Sequence, residues 1–289
     1  MPSLAVLGVL LRELTTLERA PRVPEPSLVM DDPQNVDAYA RAAVEDRVLA
    51  PVYLYNAAHI SEVIRPGDRV LDLGCGPATQ LEVAAALNPE VDFVGVDLSE
   101  PMLERGRAIL AQQGLTNVEL THGDITRLEF DDRSFDAVVS TLTFHHLPDE
   151  RALGASLQEV ARVVKPGGGL FLLDLGRLRS TRSIHYFAHQ YADRQSELFT
   201  LDYWNSLRAA FSPRDFRAAC APLEGRGRLY QTFGAPYMLA FKSPRRRAET
   251  AELRGRFRAE VAKLPSHHQT DLRDLSVFFA LGGLRTGLL

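Results

Sequence analysis

A pair of glycines and one carboxylate carry the chemistry that reads first from this sequence. Val70-Leu-Asp-Leu-Gly-Cys-Gly-Pro-Ala-Thr79 runs from an apolar strand into a glycine turn and then into a helical pattern. Gly74 and Gly76 lack side chains, so backbone N–H groups there can come close to a ligand. A second strand, Val91 to Val96, ends at Asp97, 21 residues beyond Gly76. That is about the 20-residue spacing at which an acidic residue reaches a ribose hydroxyl. Turn and acid together describe a nucleoside-binding crevice. The third glycine of a dinucleotide fingerprint would fall on Thr79, and no P-loop lysine follows. Both an NAD-type site and a nucleoside triphosphate site are disfavoured.

Such residues need strand ends to hold them. Five strands are expected: Arg69–Leu73, Val91–Val96, Val118–His122, Phe135–Ser140 and Leu170–Leu175. Helices fall between them. Leu81, Val83, Ala84 and Leu87 form one helical face, Ser99 caps a helix running to Gln113, and Leu153–Val164 stops at Lys165-Pro-Gly. The alternation predicts an α/β fold with a doubly wound, Rossmann-like, mostly parallel sheet. The expected organisation is an N-terminal extension (1–30), a helical lid segment (31–64) and a ligand-binding core (65–176). A cap insertion (177–210), a completion of the core (211–243) and a helical tail (244–289) follow. Met30 is a second plausible start, so the first 29 residues are expected to be either a mobile extension or an over-long gene reading. Val36, Tyr39, Ala40, Ala43 and Val44 mark the lid helix. Arg228–Phe233 and Tyr237–Phe241 read as an antiparallel hairpin. The tail shows Leu253, Phe257, Val261 and Leu264 on one face, suited to pairing with a second copy as a homodimer.

Composition narrows the partners. With 289 residues, 45% apolar content, a formal charge of −4 and a pI near 6.1, the chain has no general attraction for nucleic acid or an anionic membrane. No stretch approaches the roughly 20 apolar residues of a membrane span. Cys75 and Cys220 are too few and too far apart for a disulfide framework or metal cluster, and two reduced thiols fit a cytoplasmic protein.

The series of motifs resembles the class I S-adenosylmethionine (SAM)-dependent methyltransferases, in the small-molecule branch similar to ubiquinone and menaquinone C-methyltransferases. The matching pieces are Val70-Leu-Asp-Leu-Gly-Cys-Gly76, Val94-Gly-Val-Asp-Leu-Ser99, Gly123-Asp-Ile125, Phe135-Asp-Ala-Val-Val139, Phe144-His-His-Leu-Pro148 and Lys165-Pro-Gly-Gly168. They keep the family's order over about residues 35 to 243, with one departure at Ala78, where glycine is common. The resemblance implies SAM as cofactor and methyl transfer to an O, N, C or S nucleophile of a small organic acceptor. It places the backbone of Gly74, Cys75 and Gly76 along the methionine portion and Asp72 near its ammonium group. Asp97 would take the ribose hydroxyls and Asp124 the adenine amino group. Leu98, Met102 and Ile125 would sandwich the ring, with Thr141 alongside; Leu98 and Met102 read equally well as plain core.

His145 and His146 follow the fourth strand, where ligands of such sheets bind. A histidine there has the pKa to take a proton from an acceptor; the pair could instead shape the loop and touch SAM. Arg177 and Tyr186, beyond the fifth strand, and Tyr55, from the lid segment, are candidates for contacting the acceptor. No metal is expected, because His122, Asp124, His145 and His146 lack a metal-site spacing and methyl transfer from a sulfonium needs none. Other chemistry on SAM, or a non-catalytic scaffold that kept the fold, are the competing functions.

Overall fold

The apolar run Phe135–Thr141 becomes the middle strand of a seven-stranded sheet, nearly all of it buried. The computed structural model describes residues 4–17, 19–27, 48–193 and 195–289; Met30 and the face formed by Val36, Tyr39, Ala40, Ala43 and Val44 lie outside them. The strands are β1 (Arg69–Leu73), β2 (Asp92–Asp97), β3 (Val118–His122), β4 (Phe135–Thr141), β5 (Val164–Leu175), β6 (Arg228–Gln231) and β7 (Met238–Lys242). Their order across the sheet is β3-β2-β1-β4-β5-β7-β6. The first five are parallel, and β7 runs antiparallel to both β5 and β6. The order reverses between β1 and β4, which puts a crevice at their carboxyl ends.

The described helices are α1 (Leu4–Thr15), α2 (Ala50–Val63), α3 (Thr79–Leu87), α4 (Glu100–Gln112), α5 (Glu150–Val163), α6 (Thr181–His189), α7 (Glu197–Ala209), α8 (Pro213–Ala219), α9 (Ala251–Lys263) and α10 (Ser266–Leu281). Two apolar clusters line the sheet. One joins residues such as Ile60, Leu81, Leu103, Phe257 and Phe279, and the other Leu153, Leu157, Val160 and Phe216. Serine caps set several helix starts: Ser99 accepts from Met102 N, Ser196 from Phe199 N, and Ser212 forms a capping box with Asp215. Ser180 and Ser196 likewise start α6 and α7 within the expected cap insertion.

Described residues at both chain ends pack against the core. The tail is two helices, and its apolar face packs inside its own chain. Phe279 stacks on Tyr55 of α2 with ring centroids 5.2 Å apart, Leu253 and Phe257 are buried, and Arg256 donates to Leu87 O at 2.9 Å. Some described residues of the amino-terminal segment are likewise anchored. Val9 is buried, and the Glu13 carboxylate accepts from the backbone N–H groups of Arg179 and Ser180 at 2.7 and 3.0 Å, at the start of α6. A charge cluster around the buried Glu62 ties α2 to β7: Glu62 accepts from Lys242 and from Thr286 at 2.8 Å and forms an ion pair with Arg245 at 3.1 Å. Burial alone would raise the Glu62 pKa, but His59, 3.7 Å away, and the Lys242 charge hold it down to about 2. No helix among the described residues is long and apolar enough to cross a membrane.

Candidate functional site

The glycine turn is pinned to the tip of β2. Gly74 N and Cys75 N both donate to Val96 O, at 2.8 and 3.1 Å. Gly74 sits at φ +67°, and a Cβ there would come within 2.0 Å of the Thr143 methyl. Only glycine permits both the left-handed turn and the close approach of the loop after β4. Thr143 fastens that loop by donating to Gly74 O at 3.0 Å. Ala78 also has a left-handed backbone, φ 57°, and ends the turn as the residue before α3. Its methyl packs 3.2 Å from the site a Gly106 Cβ would take, outside the cavity lining, so the departure from glycine costs strain rather than ligand space.

Three carboxylates surround the turn. Asp97 accepts from Gly76 N at 2.8 Å and from Ser99 N at 2.9 Å. A carboxylate has about four lone-pair positions, so two remain for a diol. Burial pushes the Asp97 pKa up, against the pull of those two N–H groups. Asp72 is buried deeper, and desolvation, reinforced by the Asp97 charge, pushes its carboxyl up to about 8. Asp124 is fixed at the end of β3 by accepting from Thr126 N and Oγ1, each at 2.7 Å. All three border one cavity of about 460 Å³, a size suited to a small-molecule ligand.

The same cavity extends to the histidine loop, a 3₁₀ turn at Phe144–His146. His145 is tied to the end of β5: Asp174 accepts from its Nδ1 at 2.7 Å and from its backbone N at 2.9 Å. The His146 ring lies 4.2 Å from the His145 ring, and its Nδ1 is 3.0 Å from Glu25 Oε2. The Glu25 side chain is only 7% exposed, whereas His146 keeps 29% exposure toward the cavity it lines. Burial would raise the Glu25 pKa, but the His146 hydrogen bond holds it down to about 2. Burial would lower the His146 pKa; Glu25, with Asp202 and Asp174, raises it instead.

Of the residues expected from sequence, Asp72, Gly74, Cys75, Gly76, Asp97, Leu98, Met102, Asp124, Ile125 and Thr141 border the cavity, as do His145 and His146. Three acceptor candidates do not. Tyr55 stacks on Phe279 in the core; Tyr53, two residues back and about 200° around the helix, faces the cavity instead. Arg177 pairs with Asp215 at 2.9 Å, and Tyr186 packs edge-on to Phe187 outside the lining. The wall opposite the histidines is one face of α7, Phe199, Asp202, Tyr203 and Ser206, joined by Tyr237. That i, i+3, i+4, i+7 spacing of aromatic and polar residues was a signal the sequence offered. Burial, then the Glu25 charge, pushes Asp202 up to about 6. Glu25 had no comparable signal.

Residues 70–168 match a family model described as a methyltransferase domain. A demethylmenaquinone methyltransferase of Geobacillus kaustophilus is 37% identical over 127 residues, covering 43% of this chain and 53% of that protein. The same-named protein of Listeria monocytogenes is 39% identical over 112 residues, 38% of this chain and 46% of its own. The chain thus spans about half the length of the curated relatives it matches. Among solved structures, a SAM-dependent methyltransferase of Aquifex aeolicus aligns with TM-score 0.50 at 17% identity, over 74% of this chain and 98% of that one. A Methanococcus maripaludis chain named for the same dependence aligns with TM-score 0.55 at 18% identity, over 79% and 99%. These two share the Rossmann-like fold. The chain is similar to class I SAM-dependent methyltransferases, and the span matched by the family model contains the glycine turn, Asp97 and Asp124.

Proposed function

We propose that this protein transfers a methyl group from SAM to a small organic acceptor. The observation that carries the reading is a single cavity with a diol-binding carboxylate beside a glycine turn at one end and a pair of carboxylate-bound imidazoles at the other. The donor set fits the cofactor: Asp97 keeps lone pairs for the ribose, Asp72 faces the place of the ammonium group, and Leu98, Met102 and Ile125 offer apolar faces to the adenine. When bound, SAM supplies a methyl group on a positively charged sulfur, open to in-line attack.

The chain's own residues then have three tasks. Asp72 gives up its proton when a cation arrives, because the attraction of a positive partner for the ionised carboxyl offsets the desolvation that raised its pKa. His146 accepts the proton of an acceptor hydroxyl or acidic carbon. The α7 face and Tyr237 hold the acceptor and exclude water; well-oriented reactants gain about 7–11 kcal/mol from proximity alone. Phe199, Tyr203, Tyr237 and Met238 make this half largely aromatic and apolar, which favours a flat, uncharged ring bearing an ionisable hydroxyl or acidic carbon. The relatives named for demethylmenaquinone agree with such an acceptor. The net charge of −4 speaks against nucleic acid, and the two reduced, buried cysteines support a cytoplasmic setting.

Calorimetry with SAM and S-adenosylhomocysteine, followed by methyl release across a panel of phenols, quinols and enolisable ketones, tests the reading. Binding with turnover on at least one acceptor is expected. Absence of SAM binding at millimolar concentration would remove the reading, and binding without turnover on any acceptor would favour other SAM chemistry or a scaffold.

A further inference from the structure

We infer that Glu25, delivered by a proline-stiffened amino-terminal strap, is the residue that positions His146 for proton transfer and fixes which ring nitrogen faces the acceptor. The inference rests on the methyl-transfer reading above and adds a residue outside every matched motif. The strap, Pro21-Arg-Val-Pro-Glu-Pro26, is neither helix nor strand. Its three prolines favour an extended chain with about three residues per turn, which puts Arg22 and Glu25 on one side. The backbone is pinned where Ala20 N donates to Arg179 O at 2.8 Å and Val23 N to Arg208 O at 3.0 Å.

Arg22 acts as a staple between the two walls of the acceptor half. Its guanidinium lies over the Phe211 ring at 4.0 Å and donates to Ala209 O at 2.7 Å, at the end of α7. It also donates to Pro148 O at 2.6 Å, to His145 O at 3.1 Å and to Leu147 O, around the histidine loop. With the strap so fixed, Glu25 receives hydrogen bonds from His146 Nδ1 and, on its other oxygen, from Ser206 Oγ at 2.7 Å. Nδ1 of His146 is thereby committed, and Nε2 is the nitrogen left for proton exchange.

The charge balance agrees with that role. Facing His146 are Glu25 from the strap, Asp202 from α7, Asp174 from β5, Asp97 from β2 and the neighbouring His145 ring. When the acceptor X–H bond breaks, the proton goes to Nε2. The electron pair of X forms the new bond to carbon, and the pair of the broken S–C bond returns to sulfur. The imidazolium that results stands against the Glu25 carboxylate as a neutral pair, then releases its proton to water. The nearest ligand-type atoms of Glu25, His145 and His146 lie within 4.8 Å of one another. Within that group Glu25 accepts from His146 on one oxygen and from Ser206 on the other, and the chelator arm of the test below separates this hydrogen-bonded role from a metal-binding one.

The test uses the full chain with Glu25→Gln and Glu25→Asp. Glu25→Gln is expected to lower kcat about 10- to 100-fold with the SAM Kd within twofold. The acid limb of kcat/KM should move down by about 1–2 pH units, because the opposite charge that raises the His146 pKa is gone. Glu25→Asp should recover part of both. A ¹⁵N-histidine NMR titration of wild type and Glu25→Gln reads the same shift without any acceptor, so the inference survives or falls even if methyl transfer is not found. An unmoved titration overturns the role, as does a kcat loss matched by lost SAM affinity and a lower Tm. Turnover abolished by a chelator and restored by a divalent ion would overturn it too.

Discussion

The two ends of the cavity are held by different kinds of matter. The end around Gly74–Gly76, Asp97 and Asp124 is strand tips and backbone: Val96 O takes two turn N–H groups, and Asp97 and Asp124 are locked by N–H groups within a few residues of themselves or across the neighbouring strand tip. The other end is side chains from separate segments, the strap, the histidine loop, β5, α7 and the turn before β7, joined by Arg22, Glu25 and Asp174. A sheet edge keeps its geometry when one side chain changes, whereas an assembly of side chains has no such reserve. The first end suits a fixed ligand and the second suits an acceptor that can differ between proteins sharing the fold.

If that division holds, damage at one end should leave the other intact. The largest effect is expected for Asp97→Ala. It removes the free lone pairs and also the acceptor for Gly76 N. Hydrogen bonds to a charged group are worth about 1.5–3 kcal/mol each, so SAM affinity should fall about 10²- to 10⁴-fold by calorimetry. His146→Ala is the converse: kcat should fall about 10²-fold, within the usual range for a general base, with SAM affinity unchanged. A loss of SAM binding in His146→Ala would mean that the cavity is one cooperative unit.

The division also explains what the sequence could reveal. Gly74, Gly76, Asp97 and Asp124 sit at strand ends whose positions follow from hydrophobic alternation, so their neighbours in space were deducible from spacing. Helix α2 shows the limit. Its periodicity is visible, but which side meets the cavity depends on the packing of α10 against it, and Tyr53 and Tyr55 exchange roles accordingly. Glu25 lies 121 residues from His146 in a segment without periodicity, and only the pinned strap brings them together. The tail's apolar face was legible as apolar; that α2 packs against it within the chain is a tertiary fact.

Asp72 sharpens the comparison through pH. Its carboxyl stays protonated in the folded, ligand-free chain up to about pH 8, while in the unfolded chain it ionises near 3.8. Between those values the folded state binds the extra proton, so ligand-free stability falls as pH rises through that window, and Asp72→Asn should relieve the fall. SAM binding requires that proton to leave. Affinity should therefore rise as pH increases toward 8, by up to about tenfold per unit for a single linked proton. Calorimetry in buffers of different ionisation enthalpy would count the proton released, and Asp72→Asn should abolish both the release and much of the affinity. Proton-independent binding would place the ammonium group elsewhere.

Ala78→Gly should have the smallest effect, and its sign is informative. A left-handed alanine costs about 1–2 kcal/mol of backbone strain. Replacing it with glycine relieves that strain but removes a fully buried methyl worth about 0.8 kcal/mol and adds chain entropy to the unfolded state. The opposing contributions nearly cancel, so denaturant unfolding should show a change within about 1 kcal/mol. SAM affinity should stay put, because residue 78 turns toward Gly106 and away from the cavity. A tenfold change in SAM affinity with unchanged stability would mean that the turn's backbone is set by residue 78 and not by the ties from Gly74 and Cys75 to Val96, and the backbone-held end would then be as dependent on single residues as the other.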